Sequence, residues 1–87
     1  MSITFRIDPQ LSYYTGNKGS TVVTGTKVGE CLDELLKRFP GLAEAIYDDQ
    51  KQLEPAINFY INGNYVIQGL SRPVKDGDKL DIVLTEL

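Results

Sequence analysis

The side chains that carry most enzyme chemistry are scarce in this chain of 87 residues. It has no histidine, which removes imidazole as a general base and as a metal ligand. Its one cysteine, Cys31, cannot form a disulfide within the chain. Zinc and iron–sulfur sites need several thiolates, or thiolate together with imidazole. We therefore expect neither metal nor redox chemistry, and no cofactor.

Two groups of residues could still be given a chemical role. Cys31 could be a reactive thiol, but it falls on an apolar helical stripe, where a small buried hydrophobe is the simpler interpretation. Asp76, Asp78 and Asp81 could bind a divalent cation or act as paired carboxylates. Turn formation explains Asp76 and Asp78 without any ligand, because both flank a glycine.

The charge balance argues against nucleic acid as a partner. Nine Lys and Arg against twelve Asp and Glu give a net charge of −3, and the cations are not clustered along the chain. The first residues lack the basic and apolar regions of a signal peptide, and no apolar run is long enough for a membrane span. These features predict a cytoplasmic protein with neither a nucleic-acid nor a membrane partner.

One amphipathic helix is the clearest element that the sequence predicts. Apolar side chains recur with helical spacing at Val28, Cys31, Leu32, Leu35, Leu36 and Phe39. Acidic residues precede basic ones along the opposite side, as the helix dipole favours. Pro40 and Gly41 end the helix, and residues 42–46 suggest one further short helical turn.

Five segments have the residue pattern of strands: 2–8, 21–23, 56–61, 65–67 and 79–87. Pro9 ends the first, and the following residues are ambiguous, since Leu11, Tyr13 and Tyr14 could extend a sheet edge before a loop. The Asn62-Gly63 pair predicts a two-residue hairpin, because both positions need positive φ. The resulting order is β-β-α-β-β-β.

The element order and the length together predict one small domain spanning residues 1–87. We expect an α+β fold in which a mixed sheet of four or five strands packs on one main helix. A chain this short supports one modest core and leaves little material to enclose a deep substrate cavity. A binding or carrier module fits these limits better than an enzyme.

Several sequence strings resemble the MoaD/ThiS family of small sulfur carriers, which have the ubiquitin-like β-grasp fold. Residues 28–35 (VGECLDEL) and 38–42 (RFPGL) resemble the family's "VGELLDEL…RYPGL". Residues 58–63 (NFYING) are similar to its "NVFVNG" hairpin, and residues 73–78 (PVKDGD) to its "PLKDGD" turn. The resemblance implies a sulfur carrier or ubiquitin-like protein that is not itself an enzyme and that acts with an adenylating enzyme. The sulfur would be transferred in the biosynthesis of a cofactor or an amino acid, for example molybdopterin, thiamine or cysteine.

The C-terminal residues depart from that family. Its members end in Gly-Gly, whose carboxylate is adenylated and converted to a thiocarboxylate, whereas this chain reads Leu84-Thr85-Glu86-Leu87. As written, this end is expected to be a poor substrate for adenylation. One alternative is therefore a non-carrier β-grasp interaction module that keeps the docking face but has lost the reactive tail. Another is a β-grasp domain that binds a small molecule or RNA.

The outward face of the predicted sheet is the candidate partner surface. If the apolar residues of the strands face the helix, then Thr4, Arg6, Asn58, Tyr60, Asp81 and Val83 face away from it. The resemblance implies that this face and the emerging tail dock on an adenylating enzyme or a partner synthase subunit. The predicted partner-binding residues are Arg6, Asn58, Tyr60, Val83, Leu84, Thr85, Glu86 and Leu87.

Overall fold

The computed structural model describes residues 2–85, which form a five-stranded mixed sheet with helices packed on one side. The strands are β1 (Ser2–Ile7), β2 (Ser20–Thr24), β3 (Ile57–Ile61), β4 (Asn64–Tyr65) and β5 (Lys79–Leu84). The α-helices are α1 (Val28–Arg38) and α2 (Leu42–Ile46), and 3₁₀ helices span Pro9–Thr15 and Gly69–Ser71. The architecture confirms the predicted α+β class. Within residues 2–85, no helix has the length and apolar character needed to cross a membrane.

The strand order is β2-β1-β5-β3-β4, with β1 and β5 parallel and the other neighbours antiparallel. The two central strands pair Phe5 with Leu80 and Ile7 with Ile82. Because side chains alternate across a sheet, all four lie on the face that α1 covers. The buried core includes Ile3, Phe5, Val23, Val28, Cys31, Leu32, Leu35, Leu42, Ile46, Phe59, Leu80 and Ile82. The helix stripe and the strand alternation predicted from sequence therefore meet in one core.

The start of α1 is held without a conventional N-cap side chain. Lys27 occupies the cap position and makes no capping bond through its side chain. Instead, the Glu30 carboxylate accepts hydrogen bonds from Thr26 N at 2.7 Å and from Thr26 Oγ1 at 2.6 Å. These bonds lower the pKa of Glu30, because they favour its charged form. The N–H of Val28 donates to the carbonyl of Arg72 at 2.9 Å, which ties the helix start to the loop before β5.

The hairpin after β3 confirms the predicted turn but corrects the predicted strand. Asn62 and Gly63 have φ values of 52° and 86°, as the two-residue hairpin requires. The returning strand covers Asn64–Tyr65, so the prediction of a strand over residues 65–67 was wrong in its bounds. Val66 still donates its N–H to Phe59, but its buried side chain turns inward and the chain bends away from the sheet.

The segment after β1 is a 3₁₀ helix and does not extend a sheet edge. Asp8 caps this helix by accepting a hydrogen bond from Gln10 N at 3.0 Å. Leu11 is buried, whereas Tyr13 is 82% exposed. The prediction that these residues could extend an edge was wrong, because the Asp8 cap and the burial of Leu11 favour a helical turn over an extended strand.

Candidate partner-binding site

The face of the sheet opposite α1 carries one continuous row of polar and aromatic side chains. Strand pairing aligns Arg6 of β1 with Asp81 of β5, Asp81 with Tyr60 of β3, and Tyr60 with Tyr65 of β4. All four are partly or largely exposed. The prediction that Arg6, Tyr60 and Asp81 share the outward face is therefore confirmed, and the register places them side by side.

An ion pair fixes the orientation of Arg6. Its Nε lies 2.5 Å from Asp81 Oδ1 and its Nη2 lies 2.8 Å from Asp81 Oδ2, a two-point contact between guanidinium and carboxylate. The hydrogen bonds and charge of Asp81 raise the pKa of Arg6. The Arg6 side chain nevertheless remains 48% exposed. A partner would therefore meet a guanidinium that is already oriented but still accessible.

Two tyrosines form the aromatic part of the row. The rings of Tyr60 and Tyr65 have centroids 5.7 Å apart and planes inclined at 67°, an edge-to-face contact. Tyr65 is 55% exposed, so the pair presents aromatic surface to solvent. Ile67 is still more exposed, at 86%, but it lies beyond the end of β4.

The backbone of Leu84, at the end of β5, is held by two residues that follow β1. Leu84 N donates to Asp8 Oδ2 at 2.9 Å, and Gln10 Nε2 donates to the Leu84 carbonyl at 3.1 Å. Sequence reasoning missed Asp8 and Gln10, because both are more than 70 residues away in the chain and no local pattern links them to Leu84. The 3₁₀ helix therefore positions the start of the C-terminal segment.

The next residue, Thr85, is held from the other side. Its N–H donates to the carbonyl of Ala56 at 2.7 Å, and Asn58 Nδ2 donates to Thr85 Oγ1 at 3.0 Å. This contact brings together two of the predicted partner-binding residues. Glu86 and Leu87, which were also predicted to bind a partner, lie outside the described residues.

A small open depression adjoins this region. Its volume is about 330 Å³ and it is lined by Arg6, Ile7, Asp8, Pro9, Asp81, Ile82 and Val83. This volume is at the lower limit for pockets that enclose small molecules. The depression joins the Arg6–Asp81 pair to the Asp8 clamp, so it is better described as a shallow part of the outer face than as a separate pocket.

The other residues considered for chemistry have structural roles. Cys31 is fully buried, and burial raises the pKa of its thiol, which disfavours the reactive thiolate. Asp76 accepts a hydrogen bond from the backbone of Ser2, and Asp78 accepts from Lys75 N and Asn62 Nδ2. Those bonds lower the pKa of Asp78. Within residues 2–85, no group of three or more Cys, Asp or Glu residues is arranged to hold a metal ion.

Solved structures similar to this one share its fold over nearly the whole chain. A chain of the Amycolatopsis orientalis BexX/CysO complex is 32% identical, with a TM-score of 0.84, and the match covers 98% of this chain and 97% of that one. Mycobacterium tuberculosis CysO is 26% identical, with a TM-score of 0.82 and coverage of 97% and 99%. SAMP1 from Haloferax volcanii, at 24% identity, a TM-score of 0.87 and coverage of 99% and 97%, supports the fold. These matches confirm the β-grasp prediction.

Comparison with protein families gives the assignment. A search of curated proteins finds no match. The model described as the ThiS family matches residues 10–84, which include the helix, the 58–63 hairpin and the 73–78 turn. Those are the strings on which the resemblance was based. Because the match covers most of the chain, the protein belongs to the ThiS family of small ubiquitin-like sulfur carriers and modifiers, which are not themselves enzymes.

Proposed function

We propose that this protein is a sulfur carrier that presents its C-terminal segment to an adenylating enzyme and docks through the outer face of its sheet. One observation carries the proposal: β5 leads directly from the exposed Arg6–Asp81–Tyr60 row to the clamped residues Leu84 and Thr85. A partner that binds the row would therefore lie next to the emerging tail.

The chemistry of this face suits a protein partner. Tyrosine and arginine are frequent anchors of protein interfaces, since they combine large contact area with hydrogen bonding. Asp81 already orients Arg6, and the edge-to-face contact with Tyr65 restricts Tyr60. Such pre-organisation lowers the entropy lost on binding. Asn58 and Val83 complete the proposed docking face beside the tail.

Relatives with this fold assemble with other proteins. CysO occurs in a complex with BexX, and subunits 1 and 2 of the Helicobacter pylori molybdopterin-converting factor form a protein–protein complex. For this chain we propose either an adenylating enzyme or a partner synthase subunit. The product would be a sulfur-containing cofactor, such as molybdopterin or thiamine, or an amino acid, such as cysteine.

The first experiment is the intact mass of the protein isolated from its native source. A carrier is expected either to run on to Gly-Gly or to carry a C-terminal thiocarboxylate, in which sulfur replaces one carboxylate oxygen. An unmodified mass ending at Leu87 would contradict the carrier function. It would favour an interaction module that docks through the same face but has no reactive terminus.

Binding to the adenylating enzyme of the same organism tests the docking face. Tyr60→Ala is expected to weaken binding by about ten-fold or more, as expected for a central interface anchor. Tyr13→Ala is the matched control, because Tyr13 is 82% exposed and lies outside the five strands. Equal binding by the two variants would show that the outer face is not the docking surface.

A Gly-Gly extension separates docking from chemistry. A chain with two glycines added after Leu87 and the chain as written should bind that enzyme alike if docking depends on the sheet face. If adenylation needs the glycines, the enzyme should release pyrophosphate from ATP only with the extended chain as its substrate. If the extended chain is adenylated but the unextended chain no longer binds the enzyme, docking does not depend on the outer face of the sheet.

A further inference from the structure

The strand β2 leaves one edge of the sheet open. The N–H of Ile7 donates to the carbonyl of Gly19 at 2.8 Å, so this pair belongs to the hydrogen-bonded positions of the β1–β2 ladder. Antiparallel ladders alternate, which places Val22 at a position whose N–H and C=O point away from β1. Thr4, opposite Val22, accordingly directs its own N–H the other way, to Asp78 at 3.1 Å.

We define the open edge as Ser20, Val22 and Thr24, whose side chains are all exposed. By the same alternation, the backbone polar groups of all three point outward. Within residues 2–85, none of their N–H groups donates to a protein acceptor. An edge strand with unpaired donors and acceptors is a template for pairing with another extended chain.

One acceptor on this edge is occupied by the protein's own side chain. Arg38, at the end of α1, donates from Nη1 to the carbonyl of Val22 and to Thr21 Oγ1, the latter at 2.8 Å. The guanidinium therefore lies where the N–H of an added strand would lie. Val22 itself remains 53% exposed, so Arg38 shields the carbonyl without covering the strand.

An acidic groove runs beside the open edge, between the end of β2 and α1. Its volume is about 300 Å³, and it is lined by Thr24, Gly25, Glu30, Asp33, Glu34 and Lys37. The three carboxylates exceed the one ammonium group, whose contact with Glu34 is long, at 3.4 Å. The groove therefore favours cationic side chains on whatever strand occupies the edge.

We propose that the open edge and the acidic groove together bind an extended, lysine- or arginine-rich segment of a partner protein by strand addition. The partner's backbone pairs with Val22 and its cationic side chains reach Asp33 and Glu34. Arg38 leaves the Val22 carbonyl as the added strand takes its place. Main-chain pairing supplies affinity and the groove supplies specificity.

This second surface is distinct from the face proposed for the adenylating enzyme. β1 separates β2 from β5, and β2 and β4 are the two opposite edges of the sheet. The two surfaces meet only where Arg6 of β1 pairs with Ser20 of β2, and the rest of the docking row lies farther from the open edge. Binding at the edge is expected whether or not the C-terminus is ever adenylated.

A titration of the ¹⁵N-labelled protein with a short peptide tests the proposal. The probe is an acetylated, amidated peptide of alternating Lys and Thr, and the control peptide has Glu in place of every Lys. We expect saturable amide shifts at Val22, Thr24 and Glu34, slower exchange of the Val22 amide, and binding of the Glu peptide at least about ten-fold weaker. Equal binding of the two peptides, or shifts confined to β3 and β4, would overturn the proposal.

Backbone pairing is tested at Val22. Val22→Pro removes the outward N–H but no donor of the β1–β2 ladder, and proline is tolerated on edge strands. We expect peptide binding to weaken about ten-fold, whereas the control Val22→Thr, which keeps the N–H, binds like the parent. Unchanged binding by a folded proline variant contradicts strand addition.

The groove and Arg38 give tests that do not depend on the proline variant. The double variant Asp33→Asn with Glu34→Gln should weaken binding about five-fold and reduce its salt dependence. Arg38→Ala should instead tighten binding about three-fold, because the Val22 carbonyl is already free and a repelling cation is gone. Lys51→Ala, a cation in the loop after α2, is the control for charge alone. Weaker binding of the Arg38 variant, or equal tightening by both, would refute the shielding role.

Discussion

The two faces of β5 differ in burial, so that one side serves the fold and the other is left open to solvent. Leu80 and Ile82 have no exposed surface and contact the core, whereas Asp81 and Val83, which alternate with them, are partly exposed. The inner residues must match the volume available under α1, and so they carry most of the stability. The outer residues meet solvent and polar neighbours. Their identities can therefore serve a partner at little cost to the fold.

The two edges of the sheet differ in a similar way. β4 has only two residues, and a short edge strand offers little to an added chain. β2 has five residues and directs three sets of backbone polar groups outward, but Arg38 covers the carbonyl of Val22. One edge is therefore protected by its short length and the other by the Arg38 side chain.

Truncating a core residue and a surface residue of β5 to alanine should give the largest difference in the free energy of unfolding. Ile82→Ala is expected to lower the free energy of unfolding by about 3 kcal/mol or more, since it leaves a cavity in a fully buried site. Val83→Ala, the matched change on the outer face, should cost less than about 1 kcal/mol. Urea unfolding followed by circular dichroism measures both. Similar losses of unfolding free energy for the two variants would show that the outer face also stabilises the fold.

A smaller loss is expected where α1 approaches the end of β2. A Cβ added at Gly25 would lie 2.9 Å from Cys31 Sγ and 3.0 Å from the Cys31 backbone nitrogen. Gly25→Ala should therefore destabilise the protein by about 1–3 kcal/mol, because part of the clash is with backbone. Gly41→Ala is the control, since its Cβ would meet nothing within 4 Å.

Thermal unfolding of the two glycine variants makes the comparison. The Gly41 variant should be neutral or slightly more stable, because its φ of −64° suits alanine. A Gly25 variant as stable as the parent would mean that the helix start can move away from β2. The contact between Gly25 and α1 would then be less tightly packed than the core around Ile82 of β5.

Removing the clamp on the C-terminal segment should affect local order more than global stability. Asp8→Ala deletes the acceptor for Leu84 N and the cap for Gln10 N, and most of the expected cost of about 1–2 kcal/mol falls on the local opening of this segment. Hydrogen exchange should become faster at the Leu84 amide while that of the buried Ile82 is nearly unchanged. Uniform acceleration along β5 would indicate that Asp8 supports the whole fold and not the tail alone.

The smallest effect should be the pH dependence that arises from Asp78 at the start of β5. Hydrogen bonds from Lys75 N and Asn62 Nδ2 hold its folded-state pKa below the ordinary 3.8, so its carboxylate stabilises the fold above that pH. This contribution is lost as the pH falls through the folded-state pKa. Asp78→Asn should therefore show a shallower loss of stability between about pH 5 and pH 2 than the parent. Identical pH profiles would mean that those hydrogen bonds do not favour the ionised form of Asp78 over the protonated form.

Local sequence patterns predicted most of the fold. The apolar stripe of α1 and the alternation in β1, β3 and β5 are confirmed, because burial on one face imposes a period on each element. The Asn62-Gly63 turn is also confirmed, since its backbone angles favour those residues. The patterns failed for the 3₁₀ helix Pro9–Thr15 and for the end of β4. In both places a short segment follows contacts made elsewhere in the chain.

The candidate site was predictable only as a face. Alternation placed Arg6, Asn58 and Tyr60 on the outside of the sheet, and the structure agrees. Their role in binding a partner stays a prediction. The ion pair of Arg6 with Asp81 was not predictable, because it depends on the parallel pairing of the first and last strands.

Sequence by itself therefore determined the type of each major element, the division of its residues between core and solvent, and the family. These properties follow from the period and the turn chemistry of neighbouring residues, which act over short distances along the chain. Tertiary structure alone decided that Asp8 and Gln10 clamp Leu84, and that Arg38 lies on the carbonyl of Val22. Such contacts depend on strand order, register and helix placement, which arise only when distant segments pack together.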